Sequence, residues 1–131
     1  MDRYDADLAP DAARWLALDE GQRRALIAAA HATPDRLHDG VDQRVHATLH
    51  AVVETQAATN DPPATRRTLE RLAASGLRRH AAVHMVAEVL LEWIGRGEPF
   101  DGQRYAARLD ALDAGAWLGD RMRRDLGPPR E

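Results

Sequence analysis

The chain contains no cysteine, and this absence removes several kinds of chemistry. Disulfides, thiolate nucleophiles, cysteine-bound iron-sulfur clusters and cysteine-rich zinc sites are all excluded. Lysine is absent too, because all 18 basic residues are arginine. A Schiff-base lysine and the lysine of a phosphate-binding loop are therefore excluded.

Serine is almost as scarce as cysteine. Ser75 is the only serine, and it precedes Gly76 at a predicted helix end, where a serine nucleophile is implausible. If the protein is an enzyme, its histidines, its carboxylates and a bound metal must perform the chemistry.

Long apolar runs are also missing. No segment approaches the roughly 18 apolar residues of a membrane span, and the acidic N-terminus lacks the apolar core of a secretory signal. We therefore expect a cytoplasmic protein that does not bind membranes. The net charge is -3 and the arginines are mixed with acids, which leaves no basic face for nucleic acid. The length of 131 residues predicts a single domain, 1–131.

The most informative feature that is present is a motif that occurs twice. Each copy has two histidines and a glutamate at four-residue intervals, which places all three on one stripe of a helix. The first copy is His46, His50 and Glu54, and the second is His80, His84 and Glu88. These stripes predict two helices that face each other and hold metal between them.

The apolar pattern around the motifs has the helical period throughout. The first motif is flanked by Val41, Val45, Leu49, Val52 and Val53, and the second lies in the most apolar segment, from Leu77 to Ile94. No segment alternates as a strand does. We predict an all-α fold with a four-helix-bundle-like core and an additional C-terminal helix capped by Asp101.

Two arrangements of the motif helices remain open. An up-down-up-down bundle would make them parallel, with His46 level with His80 and His50 level with His84. If the helix from Pro62 to Ser75 crosses steeply, the motif helices run antiparallel and this order reverses. Both arrangements offer six metal ligands.

The predicted function is that of a non-haem metalloprotein with a dinuclear site. Imidazole and carboxylate ligands suit iron, zinc or manganese, and iron is our first choice. Open coordination positions would make it a redox or oxygen-dependent enzyme on a small organic substrate, with Glu54 and Glu88 as ligands and catalytic carboxylates. With zinc, the same site would activate water for hydrolysis.

A non-enzymatic interpretation competes with the enzymatic one: a helical module that senses metal or binds a protein partner. The many alanines permit a homodimer. His31 and His38 are weaker candidates for an added ligand or an outer hydrogen-bond donor.

From His46 to Glu54, at Asn60-Asp61-Pro62-Pro63, from His80 to Glu88 and at Gly97-Glu98-Pro99, the chain resembles a family of small bacterial proteins catalogued as domain of unknown function eighteen-forty-one. The resemblance covers roughly residues 31 to 112. It implies a helical fold and supports the pairing of the two motifs, and it implies no activity.

Overall fold

The computed structural model describes residues 1–30 and 43–116, and all the regular structure in those two ranges is helical. The predicted all-α fold class is confirmed. In chain order the helices are α1 (Ala12–Leu16), α2 (Glu20–Ala30), α3 (Gln43–Thr59), α4 (Pro63–Ala74), α5 (Arg79–Arg96) and α6 (Gly102–Asp110). None of these helices combines the length and the apolar character that crossing a membrane requires.

Local side-chain chemistry explains where several helices begin and end. The spacing of Asp19 and Gln22 in the sequence predicts a capping box, and the two residues form it at the start of α2, each accepting from the backbone N–H of the other. Helices α1 and α2 are separate. Asp101 caps α6 as predicted, by accepting from two backbone N–H groups of its first turn. Gly76 has a φ of 95° after the end of α4, a conformation that glycine adopts without strain.

The sequence predicts that Asp61 caps α4 and that a proline takes its first position, and the structure differs from this prediction in the cap residue. The N-cap residue is Pro62, not Asp61, and the Asp61–Pro62 peptide bond is cis. A capping carboxylate accepts from the second or third N–H of the helix. With Asp61 as the N-cap, the second residue of the helix would be Pro63, which has no N–H to donate.

Helices α3 and α5 lie at the centre of the fold. Helix α3 packs against α1, α2, α4 and α5, and α5 packs against α3, α4 and α6. The larger apolar core lies between α3, α4, α5 and α6, and a smaller one joins Trp15 and Ile27 to the outer side of α3. Helices α2 to α5 with α6 beside them agree with the predicted bundle-like core and additional C-terminal helix.

The predicted apolar stripe of α3 is wrong at two positions. Val45 and Val52 are exposed, whereas His46 and His50 between them are buried. The histidines occupy the side of α3 that faces α5, and this turns the two valines away from that contact. Polar residues therefore replace aliphatic ones at the most central interface of the fold.

The N-terminal segment is more ordered than the loose acidic lead-in that the sequence predicts. Tyr4 is buried, and its ring lies 5.7 Å from that of Trp15. Asp7 accepts a hydrogen bond from the backbone N–H of His80, at 3.2 Å, and forms an ion pair with Arg78. The segment therefore packs across the N-terminal end of α5.

Candidate metal centre

The two motif helices are antiparallel. The ring of His46 lies 5.8 Å from that of His84, and the ring of His50 lies 5.7 Å from that of His80. The first histidine of each motif thus faces the second histidine of the other, which requires the two helices to run in opposite directions. Of the two arrangements that the sequence leaves open, the structure has the one in which the order of the second motif is reversed.

Three of the histidines converge closely enough to hold one metal ion. One nitrogen from each of His46, His50 and His84 lies within 4.8 Å of the other two. Nitrogens bound to a common tetrahedral zinc ion at about 2.1 Å are about 3.4 Å apart. Closure of the three rings onto one ion therefore requires only a small movement of the side chains.

The position of these rings follows from helix geometry and burial. His46 and His50 are four residues apart on α3, so their rings stack along one face, with centroids 4.2 Å apart. His84 reaches the same point from α5. All three are at most 5% exposed, and burial of this much polar surface is costly unless the groups are bonded. Metal ligation is one way in which buried imidazoles recover that cost.

Glu88 lies beside this group without belonging to it. Its Oε1 is 3.2 Å from Nε2 of His84, one turn earlier on α5, and about a third of its side chain is exposed. A carboxylate bonded to a ligating imidazole fixes the orientation of the ring and raises its basicity. Glu88 therefore stands where it can either orient His84 or turn to the ion itself.

Glu54, the carboxylate of the first motif, has different partners. Its two oxygens each lie 2.6 Å from a different terminal nitrogen of Arg79, and the hydroxyl of Tyr4 donates to the same carboxylate. The side chain of Glu54 is fully buried and that of Arg79 is 14% exposed. The predicted ligand Glu54 is thus part of a buried ion pair in this structure.

This ion pair changes the proton affinity of the groups around it. Burial and the adjacent Glu54 carboxylate raise the pKa of Tyr4 well above its ordinary value, so the phenol stays protonated and donates. Burial alone would lower the pKa of Arg79, but its hydrogen bonds and charge attraction to Glu54 outweigh that effect and raise it. Arg79 is a permanent cation at this end of the site.

His80 lies outside the group of three. Its ring neighbours that of His50, while its backbone N–H, in the first turn of α5, donates to Asp7. The hydrogen bond from Arg78 lowers the pKa of Asp7, so Asp7 is an anion where the helix dipole favours one. Of the six predicted ligands, the structure thus groups three and places Glu88 beside them.

Glu54 and Arg79 also line a cavity of about 450 Å³. The N-terminal segment, α3 and α4 form most of its wall, which combines small apolar residues, mainly alanine, with charged side chains of both signs. Its size falls in the range of small-molecule pockets.

Sequence reasoning missed Tyr4 and Asp7 as contributors to this region. The only sequence signal was Tyr4 itself, because an aromatic residue in an otherwise polar segment indicates that the segment packs against the fold. His31 and His38, the weaker candidates, lie outside the described residues.

Comparisons of the chain with protein-family models, with curated proteins and with solved structures give no match. The resemblance to the domain of unknown function therefore stays a prediction.

Proposed function

We propose that the chain is a metalloprotein in which His46, His50 and His84 bind one divalent transition-metal ion. The observation that supports this most directly is the mutual approach of three buried imidazole nitrogens to within 4.8 Å. Imidazole is a good ligand for zinc, iron, copper and nickel, and no thiolate is available to compete with it.

The chemistry follows from the charge of the ligands. Three neutral imidazoles leave the full double charge on the ion, which makes it a strong Lewis acid, and at least one coordination position stays open. A zinc ion with this ligand set lowers the pKa of a bound water to about 7. Glu88, beside His84, is available to accept a proton from that water. We therefore propose metal-activated hydrolysis of a small organic substrate.

A dinuclear iron centre with redox or oxygen-dependent chemistry is the second candidate. The observation that favours it is the His50 and His80 pair, whose ring separation of 5.7 Å nearly equals the 5.8 Å of His46 and His84. A second ion at that pair, with Glu54 as a third ligand, would have the two-histidine, one-carboxylate set of non-haem iron oxygenases. Binding of this second ion requires Glu54 to break its hydrogen bonds to Arg79.

Metal analysis of purified protein tests the proposal and separates the two candidates. We expect one zinc ion per chain after dialysis, whereas the dinuclear candidate requires two ions. Each of His46→Ala, His50→Ala and His84→Ala should weaken binding by more than the roughly 10- to 100-fold that loss of an outer-shell partner costs.

His80→Ala is the matched control, because it removes a buried imidazole of the same motif that lies outside the group of three. It should keep the single ion. A wild-type chain that holds no stoichiometric zinc, iron or manganese would contradict both candidates.

A further inference from the structure

The antiparallel motifs pair the four histidines across the interface at two places, His46 with His84 and His50 with His80, at similar ring separations. In each of the two pairs across the interface, the first histidine of one motif faces the second histidine of the other. The ring separations differ by only 0.1 Å (5.8 against 5.7 Å). Judged by the imidazoles alone, each end could bind an ion.

The carboxylates at the two ends are not equivalent. Glu88 bonds its own motif histidine, His84, four residues earlier. Glu54 has the same spacing from His50, so its helix position allows it the same contact. It is instead bound at both oxygens by Arg79 and also receives the hydroxyl of Tyr4.

The sequence shows where this difference originates. Arg79 immediately precedes the first histidine of the second motif, and the corresponding residue of the first motif is Val45. Valine has neither a charge nor a side-chain donor. The two motif copies therefore differ in that only the second is preceded by a residue that can bind a carboxylate. Arg79 binds Glu54, which lies across the interface on α3.

We infer that Arg79, assisted by Tyr4, restricts the centre to one metal ion by holding Glu54 away from His50 and His80. This rests on the proposed function. The negative charge of a carboxylate that accepts two short charge-assisted hydrogen bonds from one guanidinium is balanced by that cation and is less able to attract a metal ion. An ion entering beside it would also meet the like charge of Arg79 in a buried environment, where such repulsion is strong. Arg79 is thus a positioning residue that determines metal number.

Removal of the guanidinium should open a second site. Glu54 can then turn to His50, as Glu88 does to His84, and a second ion can bind His50, His80 and Glu54. The first ion keeps His46 and His84 and gains Glu88 in place of His50. Each ion would then have two histidines and one carboxylate, a set that leaves open positions.

The test is the number of zinc ions bound by Arg79→Val, which copies the first motif at this position. Wild-type and variant chains are saturated with zinc, separated from free metal and analysed for zinc and protein. We expect one ion per wild-type chain and two per variant chain. Arg78→Val, which removes the exposed neighbouring arginine, is the control and should keep one ion.

A double variant identifies the new ligand. Arg79→Val with Glu54→Gln should return to one ion, because the amide lacks the charge of the carboxylate. Arg79→Val leaves the buried Glu54 carboxylate without any partner at this position, which can impair folding. Arg79→Gln is therefore measured as well, because glutamine retains hydrogen-bond donors but has no charge. The Arg79→Gln chain should also bind two ions. A purely structural role for Arg79 would reduce stability in both variants and would not raise the zinc content.

The outcomes separate this inference from the proposed function. Two ions in the wild-type chain, or one ion in both Arg79 variants, would overturn the inference and leave the metal site in place. A wild-type chain without zinc would overturn the proposed function and the inference together.

Discussion

The carboxylate of Glu54 and the guanidinium of Arg79 form a two-point ion pair in which both nitrogen-oxygen distances are 2.6 Å. The pair is buried and lies at one end of a row of four imidazoles. Because it places a fixed cation at that end, it makes two otherwise similar halves of the row electrostatically different. The group of three histidines lies toward the opposite end, where Glu88 is.

Loss of this ion pair should strongly destabilise the fold. Arg79→Ala leaves a buried charge without its partner, which typically costs about 3–5 kcal/mol. Arg78→Ala removes an exposed ion pair with Asp7, and such pairs contribute about 0–1 kcal/mol. Urea unfolding of the metal-free proteins measures both changes. Equal losses of stability would show that the burial of the Arg79 pair contributes nothing.

The hydroxyl of Tyr4 should contribute more to stability than that of Tyr105. Tyr4 donates to the charged Glu54, whereas Tyr105 donates to the neutral amide oxygen of Gln56 at 2.8 Å. Hydrogen bonds to charged groups contribute about 1.5–3 kcal/mol and neutral ones about 0.5–1.5 kcal/mol. Tyr4→Phe and Tyr105→Phe, compared by thermal unfolding, test this order. A larger loss from Tyr105→Phe would be evidence against the observed contact with Glu54.

Acid should release the metal. A histidine must be neutral to ligate, and an ordinary imidazole has a pKa of about 6.5. Protons therefore compete with the ion as the pH falls, and we expect affinity to drop steeply below about pH 6. Dialysis at stepped pH values followed by zinc analysis measures the loss. Full retention of zinc at pH 4 would exclude ligation by the histidines.

Asp7 should hold the N-terminal segment on α5 at neutral pH and release it in strong acid. Its hydrogen bond from Arg78 lowers its pKa in the folded state, so its contribution is complete above the ordinary aspartate pKa of about 3.9. That contribution is lost as the pH falls through the lower folded-state value. Asp7→Asn should remove most of it at pH 7, measured as faster amide exchange in residues 4–8. Unchanged exchange would show that Tyr4 alone retains the segment.

Much of the fold could be predicted because its signals are local. The capping pairs at Asp19 and Asp101 and the glycine after α4 depend on residues close in sequence, and all three predictions are confirmed. Helical periodicity gave the all-α class for the same reason. It wrongly placed Val45 and Val52 on the buried side of α3, where both are in fact exposed, because which side of the helix is covered depends on the neighbouring helices.

The candidate site could be predicted only in part. The repeated motif correctly indicated that histidines from two helices converge, since residues four apart share a face. The direction of α5 relative to α3 depends on how α4 crosses between them, and no local pattern encodes that. The partners of Glu54 are 25 and 50 residues away in sequence, so the Tyr4 and Arg79 contacts could not be found from spacing.

Anomalous X-ray scattering at the zinc edge, from a crystal of the zinc-loaded chain, tests the central claim most directly because it identifies the element and locates it. We predict one peak, within about 2.1 Å of a nitrogen from each of His46, His50 and His84. A peak elsewhere on the chain, or no peak near these three rings at full zinc loading, would contradict the assignment of a metal centre between α3 and α5.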